Sequence, residues 1–218
     1  MSTLASTPQD YQSLHPTERL ARLFEEYSAD KILVTSSFGG SSGILLKLLN
    51  DVVPGHPVHF LNTGYHFPET LAYKALLTKT LDLNVVEVAP ERAEHAFTSE
   101  FQIWRHNAEH CCFVNKIKPF NTFKQEHEVW VSGIMAFQNS NRLEKGIFER
   151  ANSTMKFHPL IDFTKEEAAI FSEIHELPPH PLIAKGFDSI GCTHCTKKGE
   201  NREGRWAGRA KSECGLHS

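Results

Sequence analysis

Short β-branched runs alternate with helical stretches along most of the chain. Lys31–Ser36 (KILVTS), Val58–Leu61 (VHFL), Asn84–Val88 (NVVEV) and Glu128–Gly133 (EVWVSG) each read as a buried strand. Between them lie helix patterns: Pro16–Ala29 with Leu20, Leu23, Phe24 and Tyr27 on one face, the apolar Ile44–Leu49, and Pro68 to about Leu81. Pro16 and Pro68 suit first helical positions. Thr164 followed three residues later by Glu167 predicts a capping box opening a helix to His175. Strand–helix alternation of this kind predicts an α/β fold, a single doubly wound and mostly parallel sheet with right-handed crossovers. Residues 1–15 are expected to be a flexible arm, 16–190 a nucleotide-binding α/β domain, and 191–218 an irregular cluster-binding segment with a mobile catalytic tail.

The joints between these elements carry the first candidate chemistry. After the first strand comes Ser37-Phe38-Gly39-Gly40-Ser41-Ser42-Gly43, then a helix. Strand, Gly/Ser loop and helix N-terminus form a physical phosphate cradle, although it lacks the Gly-Lys-Ser/Thr of a Walker loop and the same pattern also serves as an ordinary turn. Asn62, Thr63 and Gly64 follow the second strand, and Gly133 ends the fourth. Ligands of open α/β sheets bind beyond the carboxyl ends of strands, where these residues fall.

Composition changes the picture chiefly through cysteine. The chain has 218 residues, 40% of them hydrophobic, and a net charge of −3, which predicts one domain with a good core and no bulk binding to nucleic acid. No apolar run suggests a membrane span, and the opening MSTLASTPQD does not resemble a secretion signal, so a cytoplasmic location is expected. The five cysteines are an odd number, which rules out complete internal pairing. Four stand as a vicinal pair, Cys111 and Cys112, and a Cys-x-x-Cys pair, Cys192 and Cys195. One zinc ion accepts two consecutive thiolates only with strain, whereas a polynuclear cluster offers separate irons. An iron–sulfur cluster, [4Fe–4S], is therefore expected, with zinc or no metal as the competing readings. Lys116 falls one turn past Cys112 if this segment is helical. The fifth cysteine, Cys214, lies in a basic tail containing Lys197, Lys198, Arg202, Arg205, Arg209 and Lys211. Cations there favour thiolate and an anionic substrate.

Together, Cys-Cys, Cys-x-x-Cys and the terminal Glu-Cys-Gly-Leu-His resemble the assimilatory adenylyl-sulfate reductases and the related phosphoadenylyl-sulfate reductases, from about Ser36 to His217. The resemblance implies a sheet of the pyrophosphatase-loop type and thiol-dependent reduction of adenosine 5′-phosphosulfate to sulfite and AMP. In that scheme the nucleotide contacts Ser37, Phe38, Gly39, Gly40, Ser41, Asn62, Thr63, Gly64 and Gly133. The sulfate faces Lys116, Arg202 and Arg205, and Cys214 forms an S-sulfocysteine that a thioredoxin- or glutaredoxin-type donor reduces. Homo-oligomers are common in the family. The chain departs from the family pattern at Ser41 and Ser42, where acids are common, at Asn62 in place of Asp, at Asn115 in place of Arg, and at Met135 and Ala136. Reduction of the 3′-phosphorylated nucleotide, an ATP-dependent adenylyltransferase or thiolation enzyme, and a nonenzymatic iron–sulfur redox sensor are the alternatives.

Overall fold

Residues 8–151, 154–200, 202–206 and 215–216 are described by a computed structural model. Strand β1 is Ile32–Ser36, β2 Val58–Leu61, β3 Val85–Val88, β4 Val129–Val131, β5 Phe148–Ala151 and β6 Thr154–Phe157. They form one six-stranded sheet in the order β3-β2-β1-β4-β6-β5. All neighbours are parallel except β5 with β6. The chain winds outward from β1 to β3 and then returns to β1's other side with β4. Topology therefore reverses between β1 and β4, and the carboxyl ends at such a reversal are where open α/β sheets bind ligands.

The helices are α1 (Pro8–Gln12), α2 (Pro16–Glu26), α3 (Ser42–Val52), α4 (Pro68–Thr80), α5 (Arg92–Glu100), α6 (Ile103–His106), α7 (Ala108–Cys112), α8 (Lys118–Glu126), α9 (Ser140–Leu143) and α10 (Lys165–Ile174). A π-helical turn, Phe113–Ile117, joins α7 to α8. The sheet is covered on both faces because β1 alternates apolar residues to either side. Ile32 and Val34 join the main core with Leu20 and Leu23 of α2, Leu45 and Leu49 of α3, and Tyr73 and Leu77 of α4. Leu33 faces the other way and joins a second cluster with Phe120 of α8, Trp130, Trp206 and Leu216. That burial is the dominant stabilising contribution, at roughly 25 cal/mol per Å² of apolar surface.

Several boundaries differ from expectation. Helix α2 ends at Glu26 rather than Ala29, and β4 stops at Val131 rather than Gly133. Within the segment expected to be loose, Pro8–Gln12 is helical and Tyr11 is fully buried, edge-on to Phe148 and Phe157. The fully buried Arg19 side chain fastens this segment. It donates to the carbonyls of Tyr11, Gln12 and Pro159 and, at 2.6 Å through both terminal nitrogens, to the Asp162 carboxylate. Among the described residues no helix is long and apolar enough to cross a membrane.

Candidate active site

The loop after β1 turns sharply. Phe38 has a left-handed backbone (φ 49°), its N–H donates to Ser36 Oγ at 3.1 Å, and its ring is fully buried edge-on to Phe60. Only the Phe38 backbone is thus available to a ligand, which corrects any reading of its side chain as a contact group. Gly39, Gly40 and Ser41 then lead into the N-terminus of α3, where aligned N–H groups favour an anion. Ser41 Oγ accepts from Gln138 Nε2 at 3.1 Å, and Gln138 Oε1 accepts from the buried Arg142. Arg142 is not among the site residues expected from the sequence. Gly133 lies just past β4 against α3, with Leu45 only 3.1 Å from where a Cβ would stand.

The C-terminal segment closes over this loop. A Cβ on Gly39 would sit 3.8 Å from the Ile190 carbonyl oxygen, the same atom that accepts from Arg205 Nη1 at 3.1 Å. Gly191 permits that crossing, because a Cβ there would lie 2.4 Å from Arg205 Cζ. Arg205 is stacked over the Trp206 ring at 4.3 Å, Arg202 at 5.7 Å, and Arg202 Nη1 is 3.5 Å from Ser189 Oγ. The Arg205 guanidinium is thereby held beside the phosphate-type loop, with Arg202 on the same Trp206 ring.

The loop after β2 links this region to the cysteines. Asn62 Oδ1 accepts from the Gly64 N–H at 3.1 Å and Asn62 Nδ2 donates to Glu87, so the Asn62 side chain braces its own turn. Thr63 Oγ1 lies 3.3 Å from Cys192 Sγ, and the Tyr65 carbonyl accepts from the Thr193 N–H at 2.8 Å. Tyr65, His95, Trp104 and His194 pack ring against ring, with Trp104 and His194 stacked at 3.9 Å. Lys116 is partly buried, and its ammonium is close enough to His66 to disfavour a charge there. Burial pushes the His66 imidazole down to about 4, against the pull of the Leu61 carbonyl.

Cys111 is buried, and Cys112, Cys192 and Cys195 are partly so. Burial pushes the Cys111 thiol up to about 12, and negative charge on each of the other three cysteines pushes it the same way. Cys111 thus lies within electrostatic range of the other three cysteines. Among the described residues no three His, Cys, Asp or Glu side chains are grouped as a single metal ion requires. Cysteine sulfur is the donor type that iron–sulfur groups take, and four cysteines are the number such a group needs. Cys214 falls outside the described residues.

The phosphoadenosine phosphosulfate reductase domain matches residues 31–198. An adenosine 5′-phosphosulfate reductase of Mesorhizobium japonicum is 37% identical over 95% of this chain and 84% of its own length. One from Bacillus mycoides is 36% identical over 91% and 88%. A phosphoadenosine 5′-phosphosulfate reductase of Gloeobacter violaceus is 34% identical over all of this chain and 94% of its own. In fold the chain is similar to a phosphoadenylyl-sulfate reductase from Candida auris (TM-score 0.74, 18% identity, 90% of this chain and 100% of that one). It is also similar to yeast FAD synthetase (TM-score 0.61, 17% identity, 91% and 71%). With its domain match and its relatives spanning nearly the whole sequence, the chain belongs to the phosphoadenosine phosphosulfate reductase family of enzymes.

Proposed function

We propose that this protein reduces adenosine 5′-phosphosulfate to sulfite and AMP with a thioredoxin-type dithiol as electron donor. The observation that carries the reading is the Gly39–Ile190–Arg205 contact, which sets a guanidinium beside an anion-binding loop and helix N-terminus. A phosphosulfate needs both: N–H groups for the phosphate, and cations for the sulfonyl oxygens and the departing phosphate. The relatives named for the unphosphorylated nucleotide favour that substrate over its 3′-phosphorylated form.

The Cys214 thiolate attacks the sulfonyl sulfur, the bond from sulfur to the phosphate oxygen breaks, and AMP leaves with that electron pair. The Cys214 S-sulfonate is then attacked at Sγ by a donor thiolate. Sulfite departs with the S–S bonding pair, and the second donor thiol resolves the mixed disulfide to regenerate Cys214. Arg202 and Arg205 bear on the sulfonyl end, with Lys116 assigned to the same end by family likeness. Ser37–Ser41 and the α3 N-terminus bear on the phosphate.

Cys111, Cys112, Cys192 and Cys195 would hold a [4Fe–4S] cluster. Such a group supplies a compact charge that shapes the field at the sulfonyl end. A cytoplasmic location and self-association remain part of the proposal.

The test is sulfite and AMP release by anaerobically purified protein with reduced thioredoxin, offered adenosine 5′-phosphosulfate or its 3′-phosphorylated form. Sulfite from the first, and none from the Cys214→Ser protein, is the expected result. A Cys214→Ser protein releasing sulfite at the full rate overturns the covalent scheme, and activity on the 3′-phosphorylated form alone overturns the substrate.

A further inference from the structure

The geometry points to Asn115 as a positioning residue for the Cys111 sulfur: one amide proton, shared with the Cys111 carbonyl, reaches that sulfur and would tune the metal group it ligates. The inference rests on the cluster reading above. Asn115 is 2% exposed, in the π-helical turn that follows α7. Its Nδ2 donates to the Cys111 carbonyl at 2.9 Å and lies 3.6 Å from Cys111 Sγ. The other end of the amide is fixed independently. Oδ1 is 2.8 Å from His95 Nδ1 and 3.3 Å from Thr98 Oγ1. Thr98 Oγ1 is in turn 2.9 Å from Asn115 Nδ2 and 3.0 Å from the Tyr65 hydroxyl.

These contacts set the amide's orientation without reference to the sulfur. Reversing it would bring the Asn115 carbonyl oxygen against the Cys111 carbonyl, two acceptors in contact with no proton between them. It would also aim an NH₂ at His95 Nδ1. In the observed orientation His95 carries its proton on Nδ1 and donates to Oδ1, which leaves the NH₂ facing Cys111. A buried amide held from both sides cannot turn away from the sulfur as a surface side chain could. Hydrogen bonds to ligating sulfurs drain negative charge from them and so favour the reduced, more negative state of an iron–sulfur group. The network also runs outward, from Asn115 through Thr98 to Tyr65, whose ring packs on His194 between the Cys-x-x-Cys pair. One asparagine thus ties the vicinal cysteines to the aromatic shelf beside the second pair.

The experiment uses full-length protein, anaerobically reconstituted with iron and sulfide, as wild type, Asn115→Asp and Asn115→Ser. Asn115→Asp keeps the shape and replaces the donor with an acceptor; Asn115→Ser removes the reach and carries the measurement if the aspartate variant does not fold. Iron per chain, midpoint potential, resonance Raman spectra in H₂O and D₂O, and iron loss to a chelator are compared. The expected result is a more negative potential, loss of one deuterium-sensitive Fe–Sγ stretch, and several-fold faster iron loss in the variants. Variants that bind iron and show the wild-type potential and deuterium-sensitive bands overturn the role of Asn115 and leave the cluster reading intact, even if they unfold more easily. Wild-type protein that takes up no iron–sulfur cluster overturns both.

Discussion

Thr63 Oγ1 lies 3.3 Å from Cys192 Sγ, a direct bond between the loop after β2 and a segment 129 residues further along the chain. Either group can be the donor, and the Thr63 hydroxyl also accepts the Tyr65 N–H at 3.4 Å. Thr63→Val keeps the volume and removes the proton. The expected cost is about 1 kcal/mol of stability, as for a buried hydrogen bond lost with its partner retained. Urea unfolding measures it, and an unchanged unfolding midpoint would show that the contact contributes nothing.

Gly64 is where backbone conformation and packing coincide. Its φ is +74°, and a Cβ would stand 2.3 Å from His95 Cε1 and 2.6 Å from Nε2. The histidine ring is held by Asn115 and Tyr65, so it is not a flexible end that swings aside. Gly64→Ala is expected to destabilise by about 2 kcal/mol or more, combining left-handed strain with a displaced ring. A Gly64→Ala protein as stable as wild type in chemical denaturation would mean that the loop relaxes freely.

How much of this was legible in the sequence depended on whether a local rule set it. Lys31–Ser36 and Val58–Leu61 announced themselves as β-branched runs, and the Thr164–Glu167 capping box is present at 2.8 and 3.1 Å. Strand β5 was missed because Phe-Glu-Arg-Ala at an antiparallel edge has neither a β-branched run nor a clean alternation. The π-helical turn was missed because nothing local specifies it. Pro119 cannot donate back to Asn115, but only tertiary packing decides that the helix widens there rather than ends. Asn115 stood out only as a departure from the family; its burial against Cys111 depends on His95 and Thr98, distant in sequence. The four cysteines stand out as a set in the sequence because residue type and spacing are local properties.

Acid stability follows from three histidines, His158 and His180 buried and His66 half-buried. Burial holds His66, His158 and His180 each down at about 4, and for His158 it outweighs the hydrogen bond from Nε2 to Glu149. In the unfolded chain each returns to about 6.5. Between those values the unfolded state binds protons that the folded state refuses, so this stabilisation is complete above about pH 6.5 and is lost as pH falls toward 4. His158→Gln can still donate to Glu149 and accept from Ser132, and it does not titrate. It is expected to flatten the fall in urea midpoint between about pH 6.5 and 4; an unchanged slope would mean that His158 takes up no proton on unfolding.

Leu216 is 8% exposed and joins the cluster of Leu33, Phe120, Trp130 and Trp206 on the second face of the sheet. It stands two residues beyond Cys214, the nucleophile of the proposed scheme, so Leu216 itself is held at the core. Two half-reactions place opposite demands on that anchor. Attack on the sulfonyl sulfur needs the tail docked, whereas delivery of the S-sulfonate to a donor protein needs it accessible. Leu216→Ala removes about 2 kcal/mol or more of docking, by analogy with buried leucine truncations. Slower AMP release in a single turnover without donor, and undiminished sulfite release from preformed S-sulfonated protein, are the expected results. Equal slowing of both halves would assign Leu216 to general stability, and an unchanged first half would show that docking of the tail does not limit attack.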